Sequence, residues 1–263
     1  MSGTSSRLRL PVFPAVDPEP QVVLDEALRA VRCYDLDAAV LRSLDEQTTG
    51  HAALLGPAGE RLGRVFGDLA TKDGIGKERL DGYLGALVPG ALGVDERREG
   101  RYSTLQVRFL AQDGTAEDVF LREELSEGTV RAAGVLAALL QPAAFDGRIP
   151  LIGIEEPETA LHPAGVGALY EAIDDAAART QVMVTTQSSD LLDSEYVRLD
   201  HLRVVANVDG ATRIGPVDAA GRAIVAKGLM SIGELHRSGQ LRAMEAGDVS
   251  RQSGGGSVRV AVG

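Results

Sequence analysis

The spacing of apolar residues along the chain changes near residue 100. Before that point apolar residues recur at helical intervals, which predicts helices over 22–40, 62–69 and 78–87. From 102 to 121 apolar and polar residues alternate on either side of an Asp-Gly pair, which predicts a β-hairpin. The chain is therefore expected to begin as a helical subregion and to continue as a sheet.

Beyond this hairpin, short apolar runs alternate with helical segments. In chain order the pattern predicts a helix over 128–140, a strand over 149–154, a helix over 165–179, a strand over 181–186, a hairpin over 202–217 and a helix over 230–244. Such alternation is typical of an α/β fold with a mostly parallel sheet flanked by helices.

The same pattern predicts where the domain begins and ends. We expect one domain over 22–245, divided into a helical subregion, 22–100, and a main lobe, 101–245. An irregular, proline-rich lead-in occupies 1–21. The tail 246–263 is rich in Gly and Ser, a composition that predicts disorder.

Composition narrows the class of protein. A net charge of −11 does not favour a broad basic surface for nucleic acid, although a local DNA contact stays open. A single cysteine excludes an internal disulfide, and the four histidines are too scattered for transition-metal spacing. No apolar run approaches the roughly 18 residues of a membrane helix. The first residues lack a hydrophobic signal core, so a cytoplasmic protein is the simplest expectation.

Two adjacent glutamates follow the strand predicted over 149–154. Glu155 and Glu156 stand where open α/β sheets bind their ligands, at the carboxyl end of a strand. One carboxylate there can hold magnesium, and a second can orient an attacking water or accept its proton. From these residues alone, an ordinary strand that runs into an acidic loop is an equally open reading.

Two further segments suit a phosphate ligand. Residues 125–129 (LSEGT) lead into an apolar helix, whose free N–H groups favour an anion, although plain N-capping by Ser126 or Thr129 is the commoner role. Residues 185–192 (TTQSSDLL) follow the next strand and place Gln187 beside the glutamates. Gln187 could bond a phosphate or the attacking water, or the segment could be a junction capped by serine.

Together, in this order and spacing, the three segments resemble the signature, Walker B and switch motifs of ATP-binding-cassette (ABC) type domains, in the RecF/SMC/OLD-like branch of the AAA family ATPases. Glu156 lies 30 residues after Ser126 (156 − 126) and 31 before Gln187 (187 − 156). The sequence between Pro157 and Pro163 resembles the D-loop region, PExxLHP. The resemblance covers about residues 54–241. It implies the C-terminal portion of a P-loop NTPase.

The resemblance also implies roles for the matched residues. Glu155 would be the magnesium-linked Walker B acid, although the family more often has Asp. Glu156 would polarise the attacking water, and Gln187 would sense the γ-phosphate. The residues expected against the ATP of a facing protomer, or at the protomer interface, are Ser126, Gly128, Thr129, Glu158, Leu161 and His162.

The family's P-loop, GxxxxGK[ST], does not occur in the printed sequence. Gly76-Lys77 is followed by Glu78, and position 71 is Thr. The P-loop backbone cradles the phosphates and its lysine neutralises their charge. We therefore expect the chain alone to bind ATP weakly and to hydrolyse it negligibly. A sheet without the P-loop strand should also expose an apolar edge that favours aggregation or a partner.

Three functions remain open from the sequence. The first is an ATPase module that works with Mg²⁺ in a head-to-tail homodimer or with a P-loop-bearing partner, coupled to DNA maintenance or anti-phage defence. The second is a non-catalytic split or truncated half that binds such a partner. The third is a fragment with no independent role. A reading frame encoding GxxxxGK[ST] near this gene would discriminate between them.

Overall fold

The computed structural model describes residues 18–46, 53–111, 113–244 and 258–262. The helices are α1 Pro18–Ala30, α2 Ala38–Leu41, α3 Leu62–Lys72, α4 Gly74–Leu87, α5 Glu127–Leu140, α6 Pro142–Phe145, α7 Val166–Ala177, α8 Ser189–Leu192, α9 Ala219–Ala226 and α10 Ile232–Arg237. The strands are β1 Arg32–Tyr34, β2 Asp45–Glu46, β3 Ala91–Glu99, β4 Tyr102–Leu110, β5 Glu117–Leu121, β6 Leu151–Glu155, β7 Gln181–Thr186, β8 Leu202–Val208, β9 Ala211–Gly215 and β10 Val258–Val262.

Six of these strands form one sheet, here called the parallel sheet. Its order is β1-β6-β7-β10-β8-β9. Every neighbouring pair is parallel except β8 and β9, which form a hairpin. The expected α/β class with a mostly parallel sheet is therefore confirmed.

The second sheet, here called the antiparallel sheet, is built from β2, β3, β4 and β5, with β4 paired to the other three. Helices α3 and α4 contact this sheet. They also contact α5, which with α7 contacts the parallel sheet. The molecule is thus layered, with helices between and beside two sheets of different kind.

The central helix of these layers is α5. Eleven of its fourteen residues are buried, because Ala, Val and Leu surround the helix on every side. The segment Glu127–Phe145, α5 followed by α6, is long and apolar enough to cross a membrane, but 78% of its apolar window is buried inside the protein. It is the core helix of the fold.

A buried amide fixes the first strand of the parallel sheet to this core. The Gln141 side chain, at the end of α5, donates from Nε2 to the Tyr34 hydroxyl at 2.8 Å and accepts from the Leu55 N–H at 3.1 Å. Tyr34 lies on β1, which pairs with β6 from Arg32 opposite Ile152 to Tyr34 opposite Ile154. The position of β6 in the sheet is held from this side.

Several boundaries differ from the sequence expectation. The helix expected over 22–40 is instead α1, β1 and α2, because residues 32–34 are drawn into parallel pairing with β6. The helix expected over 230–244 is only α10, and α9 was not anticipated. The subregion 22–100 is not purely helical, since it contains β1, β2 and β3. Its boundary at 100 also falls between β3 and β4, which pair closely.

The tail needs a correction as well. Residues 258–262, which fall in the tail expected to be disordered, form β10 inside the parallel sheet, between β7 and β8. Residues 246–257 and 263 lie outside the described part of the chain, as do 1–17 of the expected lead-in. Long-range pairing, which local composition does not reveal, accounts for the strand.

Candidate active site at the carboxyl end of the parallel sheet

The register between β6 and β7 brings two of the three predicted motifs to one edge. Glu155 pairs with Thr185, and both strands point in the same direction. Glu156 and Gln187 therefore leave the sheet at the same end. Three successive residues of β6 are buried before Glu155 and Glu156 become exposed. The apolar run thus anchors the strand while its two carboxylates reach solvent.

The backbone at Glu156 has an unusual conformation. Its φ is +39°, in the left-handed region that a residue with a Cβ seldom adopts. Its N–H donates to the Thr185 carbonyl at 3.0 Å, so pairing with β7 continues one residue past β6. The Thr159 hydroxyl donates to Glu156 Oε2 at 3.4 Å. Strain of this kind persists where the surrounding structure imposes it, often at functional sites.

Glu158 connects the loop after β6 to the end of β7. Its Oε1 accepts a hydrogen bond from the hydroxyl of Thr186, which is buried and also accepts the Ser188 N–H at 2.9 Å. Its Oε2 is buried and has no hydrogen-bond partner. Burial, and after it the nearby charge of Glu156, raises the pKa of Glu158 despite the Thr186 hydrogen bond. Glu158, expected at a protomer interface, thus makes this contact within its own chain.

The start of α5 contacts the same loop. A Cβ placed on Gly128 would lie 2.3 Å from the carbonyl oxygen of Ala160, whose own φ is +64°. Only glycine allows the loop backbone to approach the helix so closely. The structure therefore brings the predicted signature segment against the predicted D-loop, and it gives Gly128 a packing role that sequence spacing did not reveal.

The hydroxyls of this helix start are already engaged. Ser126 is the N-cap of α5 and accepts the Thr129 N–H at 3.1 Å, and the two hydroxyls lie 2.8 Å apart. Thr129 is buried. The capping role is therefore observed, whereas the expected contact of these residues with a facing protomer's nucleotide stays a prediction.

The remaining predicted residues lie around this edge. His162 is exposed, and its Nδ1 accepts the Ala164 N–H at 3.2 Å at the start of a short 3₁₀ turn. Leu161 is half-buried and packs against the core. Gln187 is exposed, and within the described residues its side chain makes no hydrogen bond. It is thus free to contact a ligand.

The donor set suits magnesium only in part. Carboxylates such as Glu155 and Glu156 are the oxygen ligands that Mg²⁺ prefers. Within the described ranges, however, no group of three or more His, Cys, Asp or Glu side chains converges. Mg²⁺ usually keeps several waters and binds through one or two carboxylates together with substrate phosphates. These residues therefore fit an ion that arrives with a triphosphate, not a metal centre made by protein alone.

A group of contacts beside the site was not predicted from the sequence. The Ser189 hydroxyl and His236 Nδ1 lie 2.8 Å apart, and Asp193 accepts from the Gly233 N–H and from Arg237. These contacts join α8, which follows the switch segment, to α10. Because the paired residues lie more than 35 positions apart, no local pattern could have indicated them.

Comparison with known proteins gives a family match over part of the chain. Residues 72–193 match the family model described as "AAA domain, putative AbiEii toxin, Type IV TA system". The matched region includes α5, β6, the D-loop-like loop and β7. No curated protein gives a significant match to the chain.

Among solved structures, the chain is similar to heads of SMC proteins. The SMC head domain from Thermotoga maritima is 17% identical with a TM-score of 0.37, over 60% of this chain and 52% of that one. The Smc head domain with a coiled coil and joint from Pyrococcus yayanosii is 16% identical with a TM-score of 0.40, over 59% and 29%. A structure described as "Structural biochemistry of ATP-driven dimerization and DNA stimulated activation of SMC ATPases" is 17% identical with a TM-score of 0.41, over 61% and 94%.

The chain thus spans about half or less of the two SMC heads named first. Resemblance at these TM-scores carries no argument, and the similarity to a known family rests on residues 72–193. Over residues 72–193, the chain is thus similar to the AAA/ABC-type ATPase family.

Proposed function

We propose that this chain is an ATP-binding and ATP-hydrolysing module that contributes the acidic and sensor residues of a composite site. The observation that carries the proposal is the register of β6 with β7, which puts Glu155, Glu156 and Gln187 at one edge of the sheet. Within the described residues no ion pair reaches the two glutamates. Free carboxylates and a free amide at that edge suit a magnesium-bound triphosphate.

Each side chain has a distinct task in this proposal. Glu155 would hold the magnesium ion, which neutralises charge on the phosphates when bound. Glu156, which is exposed, orients the attacking water and accepts its proton. Gln187 hydrogen-bonds the γ-phosphate or that water. The P-loop comes from elsewhere, so the chain alone binds ATP weakly.

The start of α5 is proposed to face a second nucleotide. Ser126, Gly128 and Thr129 would contact the γ-phosphate bound by a facing protomer, with His162 beside that interface. The contact of Gly128 with Ala160 supports this, because it places the helix start against the loop that follows Glu156. A head-to-tail homodimer, or a pair formed with a P-loop-bearing partner, would then close the site.

The coupled process is proposed to be anti-phage defence or DNA maintenance in the cytoplasm. The matched family's description names a toxin of a toxin–antitoxin system, which favours the first. A second candidate function is a non-catalytic half that only binds its partner. The lack of GxxxxGK[ST] in the printed sequence is the observation that favours it.

The test is ATP turnover with and without a P-loop. The full chain is assayed alone and mixed with a P-loop-bearing protein encoded beside it. We expect negligible turnover alone and turnover in the mixture that Glu156→Gln lowers by about 10²-fold or more, since general-base assistance is typically worth that much. Glu78→Gln, which neutralises an exposed glutamate on α4, should leave the rate unchanged.

Two results would overturn the catalytic proposal. An equal rate for wild type and Glu156→Gln in the mixture would remove Glu156 from the chemistry. A mixture that assembles but never hydrolyses ATP would establish the non-catalytic half instead. Calorimetry that finds micromolar Mg-ATP affinity for the pure chain would contradict the need for a P-loop from elsewhere.

A further inference from the structure

One strand position of the parallel sheet is filled by a segment from far along the chain. Strands β7 and β8 follow each other in sequence but are not neighbours, because β10 lies between them and is parallel to both. With about 4.8 Å between paired strands, β7 and β8 are held one full strand apart. Most successive strands are neighbours, so this gap is a specific feature of the topology.

The carboxyl end of this position lies at the candidate site. Val262, the last residue of β10, is opposite Thr186 on one side and Val204 on the other. Thr186 immediately precedes Gln187, and Thr185 is opposite Glu155. Chain that continues from a strand in this position therefore emerges beside the glutamates and the free amide.

The candidate site lacks positive charge, and chain that continues from this strand position could supply it. Glu155, Glu156 and Glu158 meet no cation within the described residues, and the printed sequence contains no GxxxxGK[ST]. A P-loop is a strand that leads directly into a glycine-rich loop and then a helix. Its backbone N–H groups and its lysine would supply the positive charge missing at this edge.

Another strand can take the position of β10 without any change in the chain connection between β7 and β8. The chain passes from β7 to β8 through residues 187–201, which include α8, and not through β10. Only three residues of β10 pair with β8 and five with β7. Main-chain pairing of this kind is how extended segments from elsewhere add to a sheet.

We propose that β10 is an exchangeable strand, which occupies the gap between β7 and β8 until a strand leading into a phosphate-binding loop takes its place. The inference rests on the proposed function, since the incoming loop completes the ATP site. It makes β10 both the support of the sheet in the resting chain and a barrier to assembly of the active site.

Peptide binding to three forms of the full chain tests the exchange. The probe is a fluorescein-labelled peptide with the sequence of 257–263, extended after its last glycine to complete GxxxxGKS and a helical turn. Met183→Cys with Arg259→Cys, in a Cys33→Ser background, joins two residues that are opposite each other in β7 and β10, so oxidation locks β10 in place. Val260→Pro removes a backbone donor from the middle of β10 and loosens it.

The affinity for the peptide is expected to be highest in the Val260→Pro variant, lower in the reduced chain and lowest in the oxidised chain. Val260→Pro should bind the peptide about tenfold more tightly than the reduced chain, the factor that one lost hydrogen bond is worth. The oxidised chain should not bind it. Equal affinity in the three forms, or no binding by Val260→Pro, would overturn the exchange.

A second readout separates this inference from the proposed function. Mg-ATP binding is measured for the peptide complex, with a peptide that lacks the loop as the control, and only the looped peptide should confer binding. If the peptide does not enter the sheet while the partner mixture still hydrolyses ATP through Glu156, the exchange is wrong and the proposed function stands. If the peptide enters the sheet, but the peptide complex does not bind Mg-ATP and the partner mixture does not hydrolyse ATP, two claims are wrong. These are the proposed function and the identity of the incoming strand as one that leads into a phosphate-binding loop.

Discussion

Two groups of acidic residues lie in this molecule, and they differ in what neutralises them. On the antiparallel sheet, Asp81 and Asp95 surround Lys77, at 2.5 Å and 3.2 Å from its Nζ, and both also meet Arg108. At the edge of the parallel sheet, Glu155 and Glu156 have no such cation among the described residues. The first group holds elements together, whereas the second is the one proposed above to meet a ligand.

The pKa of Asp95 shows the effect of pairing with cations. Burial alone would raise the pKa of Asp95, but the hydrogen bond from Arg108 and the charges of Lys77 and Arg108 hold it below the usual value. At Glu158 burial prevails, and the charge of Glu156 acts in the same direction. Cations thus offset the effect of burial at Asp95, and among the described residues no cation does so at Glu158.

The largest expected effect comes from removing the central cation of the paired group. Lys77 is 9% exposed, so Lys77→Met would leave Asp81 and Asp95 with one cation between them. We expect a loss of about 3 kcal/mol in the free energy of unfolding, as for other broken buried pairs, measured by urea denaturation.

The control for this change is a pair of the same kind at the surface. Arg148 and Asp146 lie 3.1 Å apart and are 51% and 59% exposed. Arg148→Ala should cost less than about 1 kcal/mol. If the two substitutions cost the same, the first group of acids does not depend on its buried cation, and the contrast between the two groups fails.

The acidic group around Lys77 also shows what could not be predicted from the sequence. The run from Asp95 to Arg101 mixes charges of both signs, a pattern that by itself favours a solvated turn. Most of it belongs to β3 and the start of the turn into β4, and its Asp95 is paired with Lys77 and Arg108 from other elements. Charge along the chain does not reveal such partners, so tertiary contacts overrode the local preference for a turn.

The parallel sheet was more predictable where its signals are local. The runs before Glu155 and before Gln187 are apolar and bounded by Pro or polar residues. Strand β7 was therefore predicted with its observed bounds, and β6 was predicted over 149–154 against the observed Leu151–Glu155. Strands β1 and β10 were missed because only their distant partners define them. The site motifs could likewise be named from spacing, but the contact between Thr186 and Glu158 required the fold.

An intermediate effect is expected where the helix start meets the loop of the unpaired group. In Gly128→Ala the new methyl would lie 2.3 Å from the Ala160 carbonyl oxygen, so the loop must shift, at about 1–3 kcal/mol. Gly82→Ala is the matched control, since that helical glycine has nothing within 4 Å. Gly82→Ala should raise the free energy of unfolding by about 0.5–1 kcal/mol.

The two glycine variants are compared by urea denaturation and by amide exchange of residues 156–161. Faster exchange in Gly128→Ala alone would show that α5 positions the loop carrying Glu156. A change of the same sign and size in both variants would mean that the loop is not held by this helix, and the second group of acids would then lack its support.

The smallest effect is a pH dependence specific to Glu158. A carboxyl whose pKa is raised on folding binds its proton more tightly in the folded state. Its contribution to stability is complete below the usual glutamate value of 4.5 and is lost as pH rises through the raised pKa. Wild type should therefore lose stability relative to Glu158→Gln as the pH increases from 4.5, in urea midpoints measured across the acid-to-neutral range.

The neighbouring charge provides the decisive control. Because Glu156 helps to raise the pKa of Glu158, the pH-dependent difference should shrink when both proteins also carry Glu156→Gln. Glu78→Gln, at an exposed position on α4, should follow the wild-type curve. A constant difference between wild type and Glu158→Gln at every pH would contradict the raised pKa. A wild type that instead gains stability relative to Glu158→Gln as the pH rises would show that a cation neutralises Glu158, as Lys77 and Arg108 neutralise Asp95.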